Sequence, residues 1–288
     1  MSASILPSDP QLTRMPLTRM QGRAELGFVH VDGTDRLARL YQRAPLRVLF
    51  PDPPQDEPPH AALVTTSGGL AGGDVLELSV HAGPAAGAVL VGSAAEKVYR
   101  STGPDTCIDV SLTVDAGAAL EYLPQETILF DGARLRRTTR IAAAAGARLL
   151  AGEILVFGRT ARGERLTHGL IREAWEIRQD GRLIWADALH LQDDLRAVLD
   201  AAAGFAGAVA AASMVVLAAD PIALRDQARA LHADYPGRFG AGLINGVLVA
   251  RWLDGDAQRL RAAFGETWKH VRHAALGRPA RLPRLWDI

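Results

Sequence analysis

The side chains best placed to do chemistry in this sequence are carboxylates in its central third. Glu96, Glu126 and Glu153 follow Gly87, Gly117 and Gly146 by 9, 9 and 7 residues, and those glycines stand 30 and then 29 residues apart. Asp74 ends a double-glycine loop, and Asp131 sits on a turn after an apolar run. Carboxylates inside a protein are costly unless they are paired or wetted. Two readings stay open. Arg100, Arg134, Arg136 and Arg137 lie near in sequence, so the acids could be structural ion pairs. A wetted line of them would instead suit transient passage of a divalent cation, because oxygen ligands hold first-row metals less tightly than thiolate or imidazole.

Other chemistry is sparse. No serine stands in a Gly-x-Ser-x-Gly context. Cys107, the single cysteine, lies in a strand pattern and reads as core; it can form neither an internal disulfide nor a thiolate cage. One cysteine and no charged-then-apolar leader fit a cytoplasmic location. His270 and His273 can share a helix face, but nothing completes a metal set, and a solvated face is the plainer reading. The loop Ser67-Gly68-Gly69-Leu70-Ala71-Gly72-Gly73-Asp74 lacks the Gly-Lys-Ser/Thr end of a phosphate loop and runs into a strand pattern, which argues a sharp turn rather than a nucleotide site. Zero formal net charge and no basic run argue against nucleic acid. The longest apolar stretch, 197–219, is interrupted by Asp200, Gly204, Gly207 and Ser213 and does not read as membrane-spanning.

The elements that must position these groups read as mainly β. Residues 1–20, with Pro7, Pro10 and Pro16, form an expected disordered lead-in. Residues 21–195 carry strand patterns almost throughout. Their units of about 30 residues, each with two short apolar runs and turns, predict a stacked, helix-like β architecture. An antiparallel sandwich with hairpins of similar length is the alternative. If the units stack in register, the three glutamates come close on successive layers. Asp180-Gly181 predicts a hairpin between 170–178 and 182–190. Residues 196–288 shift to a small α/β portion of β-α-β-α order, packed on the β body as one domain. It holds helices over 222–233 and 256–276 and a strand over 242–253, with Gly277 and Pro279 as the last stop.

Several segments resemble one known family. They are Ser67 to Asp74, Ala94-Ala95-Glu96-Lys97-Val98-Tyr99-Arg100-Ser101, and Leu123-Pro124-Gln125-Glu126-Thr127-Ile128-Leu129-Phe130-Asp131-Gly132-Ala133. Glu153 with Gly158-Arg159-Thr160-Ala161-Arg162-Gly163-Glu164, Ala250-Arg251-Trp252-Leu253, and the terminal Leu276 to Ala280 with Pro283 to Trp286 fit the same pattern. Over residues 20–288 the chain resembles the urease accessory protein D family (UreD, called UreH in some systems). It departs at Thr66-Ser67 before Gly68-Gly69, where many members carry Pro-Pro, and at Glu96, where many carry Thr.

The resemblance implies a non-enzymatic maturation factor that binds apo-urease and joins accessory proteins F and G. Protein G, a GTPase reached through F, supplies nickel. It also implies an unusual helix-like β stack with few helices and an internal, water-filled path for nickel toward the urease active site. No cofactor is then tightly bound, and nickel is in transit. Asp74, Glu126, Asp131 and Glu153 line the expected route, with Glu96 its weakest member. A passive docking scaffold that never touches nickel is the alternative. A β-solenoid enzyme acting on polysaccharide would need aromatic sugar platforms, and only 6% of residues are aromatic. The last helix and the tail through Trp286 are the expected contact with protein F, and exposed apolar patches and strand edges predict low solubility of the chain alone.

Overall fold

The structure, a computed structural model, describes residues 19–286. All but the last two residues of the expected lead-in lie outside that range. Strand β1 (Gln21–Val31) buries Ala24, Leu26 and Phe28 in alternation, and Asp32-Gly33 turns it into β2 (Thr34–Arg43). After β3 (Leu46–Leu49) the chain begins to coil. β4 (His60–Thr65) is followed by β5 (Val75–Ala82), β6 (Gly87–Gly92) and β7 (Glu96–Val98). The next coil is β8 (Thr106–Val114), β9 (Ala119–Leu123) and β10 (Thr127–Leu129). The third is β11 (Arg134–Ala143) and the long β12 (Arg148–Phe157); β13 (His168–Gln179) then folds back at Asp180-Gly181 into β14 (Arg182–Asp194), as the turn signal predicts.

Corresponding strands of successive coils pair in parallel. One sheet runs β14-β13-β11-β8-β5-β1-β2 and the other passes from β12 through β9, β6 and β4 to β3, while β7, β10 and the end of β12 make a short third face. The expected helix-like stack is therefore present, and the antiparallel sandwich is not. Its core is the layer between the two large sheets, filled by side chains such as Leu78, Leu90, Leu112, Leu120 and Leu149.

The register of the stack differs from the one read off the glycines. Gly87 pairs with Ala119, and Ala119 with Arg148. The turn glycines Gly117 and Gly146, with φ of +72° and +77°, are thus matched in the first coil by Ala85 at +59°, not by Gly87. The glutamates shift accordingly. Glu96 pairs with Thr127, and Thr127 with Leu155, so Glu126 and Glu153 stand one and two positions out of line. Side chains alternate along a strand, so Glu126 faces away from the side shared by Glu96 and Glu153. The expected line of three acids on one ladder does not form.

The last third continues the second sheet. Helix α1 (Leu195–Asp200) was not signalled by periodicity. Strand β15 (Ala210–Leu217) pairs antiparallel with β12; α2 (Pro221–Leu231) follows, capped by Asp220. The strand expected over 242–253 is a hairpin, β16 (Arg238–Ile244) and β17 (Val247–Asp254), turned at Asn245-Gly246. Asn-Gly is the preferred pair for such a turn, so the signal was present. Helix α3 (Ala257–Leu276) starts on the Asp256 cap, stops at Gly277 with φ of +66°, and buries Leu260, Phe264, Trp268 and Val271 against the sheet.

Candidate functional site

Three neighbouring strands put charge inside the stack. On β11, Leu135, Arg137, Thr139 and Ile141 take the inward phase, and the buried Arg137 therefore carries its guanidinium into the interior. It donates to Glu173 of β13 at 2.8 Å, to Glu153 of β12 at 2.9 Å and to the Thr127 hydroxyl at 2.9 Å. One cation thus serves two carboxylates. Burial, opposed by Arg137 but aided by the nearby Glu153 charge, pushes the Glu173 carboxyl up to about 8. A proton kept on Glu173 leaves the cluster neutral. Its Oε1 is buried without a hydrogen-bond partner among the described residues.

Arg137 also borders a cavity of about 180 Å³, whose polar lining includes Thr65, Glu96, Gln125 and Thr127. A water needs about 10–15 Å³ of such space, so several fit. Glu96 accepts a hydrogen bond from the Thr65 hydroxyl at 2.5 Å and makes no ion pair with any described residue. Burial raises its carboxyl above the usual range, with Thr65 and the more distant Arg137 pulling the other way.

The other acids singled out in the sequence hold structure. Asp74 is buried and accepts from the Ala71 and Met20 amides at 2.8 and 2.9 Å, closing the double-glycine loop. Asp131 accepts from the Thr167 amide and hydroxyl at 2.7 and 2.8 Å, with Arg100 at 3.7 Å. Partial burial works against it, but these Thr167 bonds and the neighbouring His168 hold its carboxyl below the usual range. Glu126 is bound by Arg261 of α3 at 2.7 Å, and the adjacent Gln125 holds both Arg261 and the Leu285 carbonyl at 2.6 Å. Glu153 belongs to the Arg137 cluster. Cys107 is half-buried rather than fully in the core. His270 and His273 bond to backbone carbonyls, and no group of three or more His, Cys, Asp or Glu suited to a metal ion occurs among the described residues.

The tail also differs from its expected exposure. Trp286 is buried, packed on Phe264 at 5.7 Å and covered by the Arg261 guanidinium at 4.2 Å. Its apolar surface is used within the chain, which removes the motive for reading it as a partner contact.

Sequence reasoning passed over Arg137 and Glu173 as site residues. The signal was there: each is a charge standing in the apolar phase of an alternating strand, Glu173 between Ile171 and Trp175.

Four of the segments singled out as motifs, around Gly68, Tyr99, Phe130 and Arg159, converge on the third face of the stack. The Tyr99 hydroxyl donates to the Gly68 carbonyl at 2.8 Å, and its ring meets Phe130 edge-on at 5.0 Å. Arg159 lies 4.5 Å over Phe130 and is paired with Glu164, which in turn accepts from the Asp131 amide at 3.2 Å. Segments far apart in the chain thus build one surface beside the cavity. A family model described as UreD urease accessory protein matches residues 20–287. The chain belongs to the UreD urease accessory protein family. A relative from Magnetococcus marinus named urease accessory protein UreD is 46% identical, with 100% of this chain and 99% of the relative aligned. A UreD of Granulibacter bethesdensis is 46% identical over 83% of this chain and 99% of its own length, and one of Rhodopseudomonas palustris is 40% identical over 97% and 96%.

Proposed function

We propose that this UreD-family chain, a urease accessory protein and so a factor in urease maturation, binds apo-urease and conveys nickel to its active site together with accessory proteins F and G. The role is non-catalytic and cytoplasmic. Among the described residues no helix is long and apolar enough to cross a membrane. The observation that supports nickel passage is the cavity inside the stack, where a largely apolar lining carries Glu96 on its wall and no arginine among the described residues binds that carboxylate. A cation in transit needs oxygen ligands that are free to turn toward it, in a space that keeps water. In this proposal Glu96 is the entering ligand and the Arg137 cluster is the floor of the passage. Glu153 sits in that floor, while Asp74, Glu126 and Asp131 hold the loops and tail that enclose it.

Passive docking is favoured by a different observation: Glu126 and Glu153 are already occupied by Arg261 and Arg137. Glu96→Gln separates the two readings, since it removes charge without breaking an arginine pair. Urease matured with this variant should carry less nickel although apo-urease and proteins F and G still assemble with it. Full nickel content would leave the scaffold.

A further inference from the structure

The third face carries a groove of about 420 Å³ that the nickel path does not use. Its floor is apolar. Ile128 and Val156 are register partners across β10 and β12, and Phe130 follows two residues on. Its rim is cationic, with Lys97, Arg159 and Arg162. Arg159 is neutralised by Glu164, but among the described residues no carboxylate lies within 4.0 Å of Lys97 or Arg162.

The groove is built before anything enters it. Gly69 gives Tyr99 its place: a Cβ there would stand 2.6 Å from the ring. Arg159 is held over Phe130 by Glu164. A preformed floor lowers the ordering cost of binding. Two uncompensated cations beside an apolar floor are complementary to carboxylates flanking an apolar side chain.

We propose that this groove docks an acidic segment of a partner protein, which seats an apolar side chain over Ile128 and Val156 between Lys97 and Arg162. Lys97 also lines the internal cavity, so a partner held here sits at the rim of that space. The proposal rests on the maturation reading for its probes but not on nickel passage.

The test uses the full chain with purified apo-urease and purified accessory protein F as separate probes. Lys97→Glu with Arg162→Glu should weaken binding to one of them by about tenfold or more at low salt, as expected for opposed charges at an interface. Lys97→Arg with Arg162→Lys should keep it. Raising salt from about 50 to about 300 mM should weaken wild type and leave the reversed variant nearly unchanged. Both variants replace exposed side chains, and an unchanged thermal melt confirms the fold. Equal affinity of wild type and reversed variant for both probes would overturn the proposal. So would loss only of self-association, which would make a second copy the occupant. A wild-type chain that binds neither probe would overturn the maturation reading as well, whereas normal docking with failed nickel transfer by Glu96→Gln would leave both standing.

Discussion

Two buried ionic networks sit in this molecule, and they are built on opposite charge ratios. Inside the stack, Arg137 alone serves Glu153 and Glu173, and one carboxylate oxygen is left over. Between α3, the proline-rich 51–59 loop and the tail, Arg272, Arg278 and Arg281 serve Glu57 and Glu121. Trp268 adds a hydrogen bond to Glu121 at 3.2 Å. The second network has cations to spare and satisfies its acids; it clamps the end of the chain onto β9. The first is short of positive charge and adjoins a wettable cavity. Burial of charge alone therefore says little about role. The ratio of cations to acids, and the space beside them, separates a clamp from a site able to exchange a proton or an ion.

Breaking each network from its cationic side should expose the difference. Arg272→Met removes the buried cation that Glu57 and Glu121 share, leaving them only the peripheral Arg281 and Arg278, and should cost about 3–5 kcal/mol of stability. Thermal melts report the loss, and proteolysis after residue 276 reports release of the tail. Arg137→Met should cost less, about 2–3 kcal/mol, because Glu173 can remain an uncharged acid. That deficit should shrink as pH is lowered, which urea titrations at two pH values will show.

The networks should also answer pH with opposite sign. Glu173 is pushed up to about 8 from an ordinary 4.5, chiefly by burial. Its contribution is whole below the ordinary value and is lost as pH rises through about 8, with a slope of at most about 1.4 kcal/mol per pH unit. Glu57 goes the other way. Against the opposing effect of burial, the nearby His60, 3.8 Å away, and hydrogen bonds from Arg272 hold it far below the usual range. Its contribution is present above the ordinary value and fades as pH falls. Glu173→Gln should therefore flatten the decline of the melting temperature between about pH 4.5 and about 8 and leave the more acid limb in place. The smallest effect belongs to Gln125→Ala, which removes the Leu285 and Arg261 bonds at the edge of the clamp. About 1 kcal/mol is expected, seen as faster amide exchange in residues 278–286.

Much of the stack was legible because its coils repeat at nearly constant length. The hairpin at Asp180-Gly181 and the α3 boundaries at Asp256 and Gly277 followed from local turn and cap chemistry. Register was not legible from glycines, because Ala85 adopts a positive φ that sequence patterns assign to glycine. That slip put three glutamates on one ladder when alternation sends Glu126 to the helix side. The site was legible only in part. Which carboxylate faces a cavity and which meets an arginine depends on partners 135 residues away, as with Glu126 and Arg261. Glu96, ranked last among the acids by family pattern, is the one beside the void.

The nickel reading stands or falls on that carboxylate. In a purified mixture of apo-urease, accessory proteins F and G and this chain, the rate at which nickel appears in urease should fall with Glu96→Gln while complex yield holds. An equal rate for the variant and the wild type would mean that nickel reaches urease without passing Glu96.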